Sequence, residues 1–275
     1  ECRQLLQRYD DLEQRVQQMP VEPAGEVVVD AIYSAGIDLL NHVRDDVESR
    51  WPRVQITLDY KPPTEVVDAV REQRCDLGIV SYPQQWRQVT MLPLWREPMG
   101  VIASPRHEIS DSDTIKVTDL TRWQMAAFEP SLPVGRAIRR YLREHGVRPN
   151  VENVFDNIDT IKAAVAVTDE IAIVPRRTVR RDIDAGPLAW LELTPPIARP
   201  MGLIYRPRHA RKASNGRSNG KPADLAPAVR AFMEALLAYD GPDIEPPLKD
   251  DLAANEVGPA DAQPSDRSQL VGDHA

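Results

Sequence analysis

The sequence predicts an α/β protein of two lobes facing each other across a cleft, with a helix in front of them. Three observations lead there. Short apolar strands alternate with short amphipathic helices, the pattern of βαβ crossovers and a parallel sheet. The alternation runs twice, over about 24–104 and 105–200. The chain then returns through 201–209 to a last helix at Leu225–Tyr239. Two crossing segments that join two α/β clusters make a clamshell.

Taken in order, Leu5, Tyr9, Leu12, Val16 and Met19 are spaced 4, 3, 4, 3, which makes residues 1–19 one helix with a heptad seam. Such a seam packs on its own domain or pairs two subunits. Pro20 and Pro23 separate it from the first strand and favour the second reading, with Leu5, Tyr9, Leu12 and Val16 as oligomerisation residues. Glu26–Ile32 reads as a buried strand. Tyr33–Gly36 reads as a turn, and the helix to Arg50 carries Ile37, Leu40, Val43 and Val47 on one face. Arg53–Tyr60 alternates as a strand should. Pro62–Pro63–Thr64 opens a helix, and Cys75–Tyr82 is the third strand.

The middle repeats this grammar. Met99–Ser104 and Gln124–Phe128 are strands, and Val134–His145 is a helix closed by Gly146. Val151–Asp156, Ile158–Thr168 and Ile171–Pro175 read strand, helix, strand. Arg176–Ala185 is a short helix, and Leu188–Leu193 and Met201–Arg206 are strands. Ala210–Ala223 is a basic, polar surface loop, and 241–275 reads as a disordered acidic tail.

Hydrophobic residues make up 42% of the 275, enough for a packed core. From Asp240 onward nine acids face two bases, a net of −7, which leaves −1 of the chain's −8 for the rest. A nearly neutral folded part is not a nucleic-acid surface. Two cysteines, Cys2 and Cys75, suit a reducing cytoplasm. No apolar run approaches the ~20 residues of a membrane span.

No dinucleotide, P-loop, nucleophile-elbow or zinc-protease motif occurs, and the five histidines are scattered. The arginines of 136–143 and 176–181 read as solvated helix faces. No catalytic residue, metal or cofactor is expected. The sequence does offer hydroxyls and amides at helix starts: Ser34, Thr64, Ser131, Asn157 and Thr160. Helix N-termini after parallel strands favour anions. The same residues serve equally well as plain N-caps.

The order of elements from about Glu26 to Leu237 resembles the effector-binding domain of LysR-type transcriptional regulators. Trp51–Ile56 resembles the family's "yP.v.l.l", Glu65–Val80 its "l…l..g.lDlai" with Asp76 at the acid, Asp119–Leu120 its "dL", and Thr160–Pro175 its "lVaaGlGialLP". Thr168 and Glu170 stand where the family has glycines, and Gln73 where it often has another. The resemblance implies two Rossmann-like lobes of the type II periplasmic-binding-protein kind. It implies effector contacts at Ser34, Ala35, Pro63, Thr64, Ser81, Ser131, Asn157 and Thr160, with hinge strands at 99–104 and 202–206. It also implies an organisation: 1–23 a linker helix, 24–104 with 201–240 lobe I, 105–200 lobe II, and 241–275 the tail. The expected partners are a small-molecule effector, further copies of the chain in a homodimer or homotetramer, and promoter DNA held by an upstream winged helix-turn-helix. No membrane contact is expected. An exported solute-binding protein of the same architecture is the alternative.

Overall fold

β1 (Gly25–Ile32), β2 (Val54–Lys61) and β3 (Leu77–Ser81) form where aliphatic runs lie between turn signals. They pair in parallel, with β1 central. Their crossovers are α1 (Ile37–Arg50), which buries Leu39, Leu40, Val43 and Val47, and α2 (Pro63–Arg71), which buries Val66, Val67, Ala69 and Val70. Ile37, assigned to that face by its spacing, is instead 56% exposed. It is the first residue of α1, ahead of the stripe that the helix buries. Asp76 joins β3 to β1, accepting from the Val28 amide at 3.0 Å while its own amide donates to the Val28 carbonyl.

A computed structural model of the chain describes residues 22–207 and 225–248. The heptad seam of 1–19, the basic loop and residues 249–275 lie outside the described residues.

Gln73 ends α2 with φ 58°, the left-handed conformation that glycine adopts without a steric penalty. Gln73→Gly is therefore expected to raise the unfolding free energy by about 0.5–1 kcal/mol. The relieved strain of ~1–2 kcal/mol outweighs the added chain entropy. Urea denaturation checks this, and a lowered midpoint would refute it.

Two long strands carry the chain between lobes. β4 (Thr90–Ala103) starts well before the predicted Met99, and β9 (Ala189–Tyr205) fuses two predicted strands into one. The second half of the chain adds β5 (Thr114–Lys116), β6 (Gln124–Phe128), β7 (Asn150–Phe155) and β8 (Ala172–Pro175). Its helices are α3 (Pro133–Glu144), α4 (Ile158–Val167), α5 (Arg176–Ala185) and α6 (Pro227–Leu237). The main sheet runs β2-β1-β3-β9-β4-β8, with β5 on β9. β6 and β7 pair separately, and the Met125–Ile171 bridge ties them to the chain just ahead of β8.

β9 pairs β4 from Tyr205 at one end to Ala189 at the other, and β3 on its opposite edge through Met201–Ile204. Between these ends the register slips twice, between Pro93 and Arg96 and between Met99 and Gly100. That irregular stretch is where one sheet becomes two lobes, and its second slip falls at the start of the expected hinge segment 99–104. Each lobe has its own core. Leu40, Ile79, Tyr205 and Phe232 belong to the first, and Ile102, Leu120, Ile161 and Leu191 to the second. α6 packs in the first, with Phe232 fully buried.

Thr168 and Glu170 close α4 without glycine. The Thr168 hydroxyl donates to the Ala164 carbonyl at 2.9 Å and accepts from the Glu170 amide at 3.2 Å. The buried Glu170 carboxylate accepts from Asn153 Nδ2 at 3.1 Å to each oxygen. Residues 241–248 depart from the expected disordered tail. Glu245 exchanges two 2.8 Å backbone bonds with Arg96 on β4, and Ile244 packs on the first core. An acidic composition concealed a segment held by backbone hydrogen bonds.

Candidate functional site

Where the lobes cross, Glu97 on β4 lies opposite Arg199 on β9. Glu97 is completely buried and Arg199 nearly so. Arg199 donates from Nε to Glu97 Oε2 at 2.8 Å and from Nη2 to the same oxygen. It also donates from Nη1 to Ser34 Oγ at 2.8 Å and from Nη2 to the Ser34 carbonyl at 2.9 Å. Arg177, in the first turn of α5, reaches in from the second lobe. Its Nε donates to Glu97 Oε1 at 2.9 Å, and its Nη2 donates to the Ala35 carbonyl. Trp95 Nε1 adds a donor to Glu97 Oε1 at 3.2 Å. Burial pushes the Glu97 carboxyl up, but Arg199 and Arg177 overcome it and hold the group below the ordinary carboxylate range.

One carboxylate thus serves two guanidiniums in a buried seam, and a positive charge is left over. The surplus lies at the start of α1. Gly36, at φ 97°, precedes that helix, and a side chain there would collide with the Arg177 guanidinium. A cation beside the positive end of a helix is poorly placed, and an anion there is well placed. Arg177 also spends only two of its five N–H groups on acceptors among the described residues. One turn further along α5, Arg181 meets Asp38 of α1 at 2.9 Å, again across the seam.

The expected contact residues separate into groups. Ser34 and Ala35 are at this cluster. Ser81 is buried at the end of β3, beside Met201 and two residues from Arg199 along the neighbouring strand. Pro63 is the first residue of α2, and Thr64 is exposed in its first turn. Ser131 is exposed ahead of α3, where its carbonyl accepts from Arg136. Asn157 caps α4, accepting from the Thr160 amide and hydroxyl at 2.9 Å each. No hydrogen bond or ion pair among the described residues joins these last five to the opposite lobe.

Glu97, Arg177 and Arg199 were missed. Helical spacing placed Arg177 on a solvated face. The available signal was position: each of the three lies within two residues of an end of a predicted strand, Met99–Ser104, Ile171–Pro175 or Met201–Arg206.

Residues 20–240 match the model of the LysR substrate binding domain. The chain belongs to the LysR substrate-binding domain family. Similar proteins include a "Probable RuBisCO transcriptional regulator" of Porphyra purpurea, 23% identical over 221 residues, covering 78% of this chain and 68% of that protein. Similar solved structures include the effector-binding domain of QuiR in complex with shikimate, with TM-score 0.64 and 16% identity over 78% of this chain and 96% of that one. They also include the regulatory domain of Synechocystis PCC6803 CcmR in complex with 2-PG, with TM-score 0.63 and 18% identity over 78% and 96%. In this LysR-type effector-binding domain, no described helix is long and apolar enough to cross a membrane. No described group of three or more His, Cys, Asp or Glu could hold a metal.

Proposed function

We propose that this chain is the sensing and oligomerisation region of a cytoplasmic DNA-binding transcriptional regulator. It binds a small anion between its lobes without turnover and passes the change to an upstream winged helix-turn-helix. The observation that carries the reading is the Arg177–Glu97–Arg199 cluster on the Ser34–Ala35 turn. It sits where the two long strands cross, it has one positive charge in excess, and it ties both lobes to one point. An anion that takes over the Ala35 carbonyl's place on Arg177 changes the bond that fixes the angle between lobes. The complexes of similar domains with shikimate and with 2-PG support a small anionic effector. Ser34, Ala35, Pro63, Thr64 and Ser81 form the first wall of the proposed site, and Ser131, Asn157 and Thr160 the second.

Thermal-shift screening of the purified chain against small carboxylates, sulfur oxyanions and phosphates tests this. An anion at a hundred times its dissociation constant adds about 2.7 kcal/mol. Ser34→Ala and Thr64→Val on one lobe, and Ser131→Ala and Asn157→Ala on the other, are each expected to weaken binding about ten- to a hundredfold. Unfolding is followed alongside, since loss of the Asn157 cap alone costs about 1 kcal/mol. Absence of any shift, or consumption of the anion, would refute the reading.

A further inference from the structure

The C-terminal segment beyond α6 holds the sequence neighbours of both Arg177 and Glu97. Asp243 is only 14% exposed at its side chain, and it holds two arginines of α5, Arg176 Nε at 3.2 Å and Arg180 Nη1 at 3.2 Å. These flank Arg177 by one residue on one side and three on the other, so Asp243 fixes the turn of helix from which Arg177 projects. Two residues later, Glu245 adds its two backbone bonds to Arg96, the neighbour of Glu97. Ile244, between them, packs on the first core. The segment therefore begins in one lobe, lies along the hinge strand and grips the other lobe. Asp243 takes φ 62° to do so, a conformation that a side chain adopts at a cost.

We infer that Asp243 is a positioning residue for the interlobe site: through Arg176 and Arg180 it sets Arg177 over Gly36 and against Glu97. The surrounding chemistry agrees. Arg176 is also held by Glu192 and stacks over the Trp190 ring, 5.5 Å from its centroid, so the α5 start is anchored on two sides. Arg180 has Asp243 as its one carboxylate partner among the described residues. Arg199, by contrast, is held by four bonds that do not involve the segment. Asp243 thus bears on one arginine of the pair and not on the other.

The inference rests on reading the cluster as the effector site, but its test needs no effector. In the full chain the Nε–H groups of Arg177 and Arg199 are buried hydrogen-bond donors, so their exchange with solvent is expected to be slow enough to follow by proton–nitrogen NMR. The signal lost in Arg177→Lys is that of Arg177. Asp243→Asn is expected to speed exchange of the Arg177 Nε–H about tenfold, the order expected for losing one bond to a charged group. The Arg199 Nε–H should change less than twofold, and Asp243→Glu should restore part of the protection. In an Arg176→Gln, Arg180→Gln background, Asp243→Asn should have no further effect, because the path of coupling is gone. An unchanged Arg177 signal overturns the proposal. So does equal acceleration of both arginines, the mark of a merely weakened fold. Either result leaves the anion screen standing as a separate test of the site.

Discussion

Replacing Glu97 with glutamine is expected to lower the unfolding free energy by about 3–5 kcal/mol, the usual cost of removing one partner from a buried ion pair. The side chain keeps its shape, so the effect is electrostatic. Arg199, at 3% side-chain exposure, and Arg177, at 12%, would face each other with no counter-charge and little water. Urea denaturation measures the loss, and a cost below about 1 kcal/mol would show that solvent already reaches the cluster. Replacing Glu97, Arg177 and Arg199 together with methionine should recover most of the stability, because uncharged residues of similar volume carry no desolvation penalty. It should also abolish anion binding.

The same carboxylate gives the protein an acid limb. Its folded pKa lies below its unfolded one. Its contribution is complete above the unfolded range near 4.3 and is lost as the pH falls through that range toward the folded value. Glu97→Gln should therefore flatten the fall in stability below about pH 4.5. It should leave the dependence above pH 6 unchanged.

Ending the chain at Tyr239 is expected to cost about 2–4 kcal/mol, or roughly 5–15 °C in melting temperature for a domain of this size. The loss comprises two backbone bonds between Glu245 and Arg96, the packing of Ile244, and the carboxylate that Arg176 and Arg180 share. Backbone bonds contribute about 0.5–1.5 kcal/mol each, while the half-exposed ion pairs add little. A chain ending at Leu248 keeps every one of these contacts and serves as the control. Equal melting temperatures for the two truncations would mean that the segment lies on the surface without stabilising it.

Gln124–Phe128 and Arg176–Ala185 were read to the residue, since period and punctuation fix local elements. Gln73 stands where the resemblance often has a glycine, and it takes a left-handed φ of 58°. β4 was read short because Pro93 and Pro98 interrupt its pattern, and prolines are tolerated where the register slips anyway. Ser34 and Asn157 carried the same signal and separated in space, one meeting Arg199 and the other capping its own helix. Segment 241–248 was misread because its bonds go to the backbone of a strand some 150 residues earlier.

By itself, then, the sequence determined the alternation of strands and helices, the two clusters and the returning chain, and through these the family. Each is a local periodicity or an order of elements, and both are written in neighbouring residues. Only the tertiary structure decided which charges meet. Glu97, Arg177 and Arg199 lie up to 102 residues apart, and an arginine on a helix carries the same local pattern whether water or a buried carboxylate receives it. That choice depends on where the second lobe closes against the first, a long-range packing decision that no window of sequence contains.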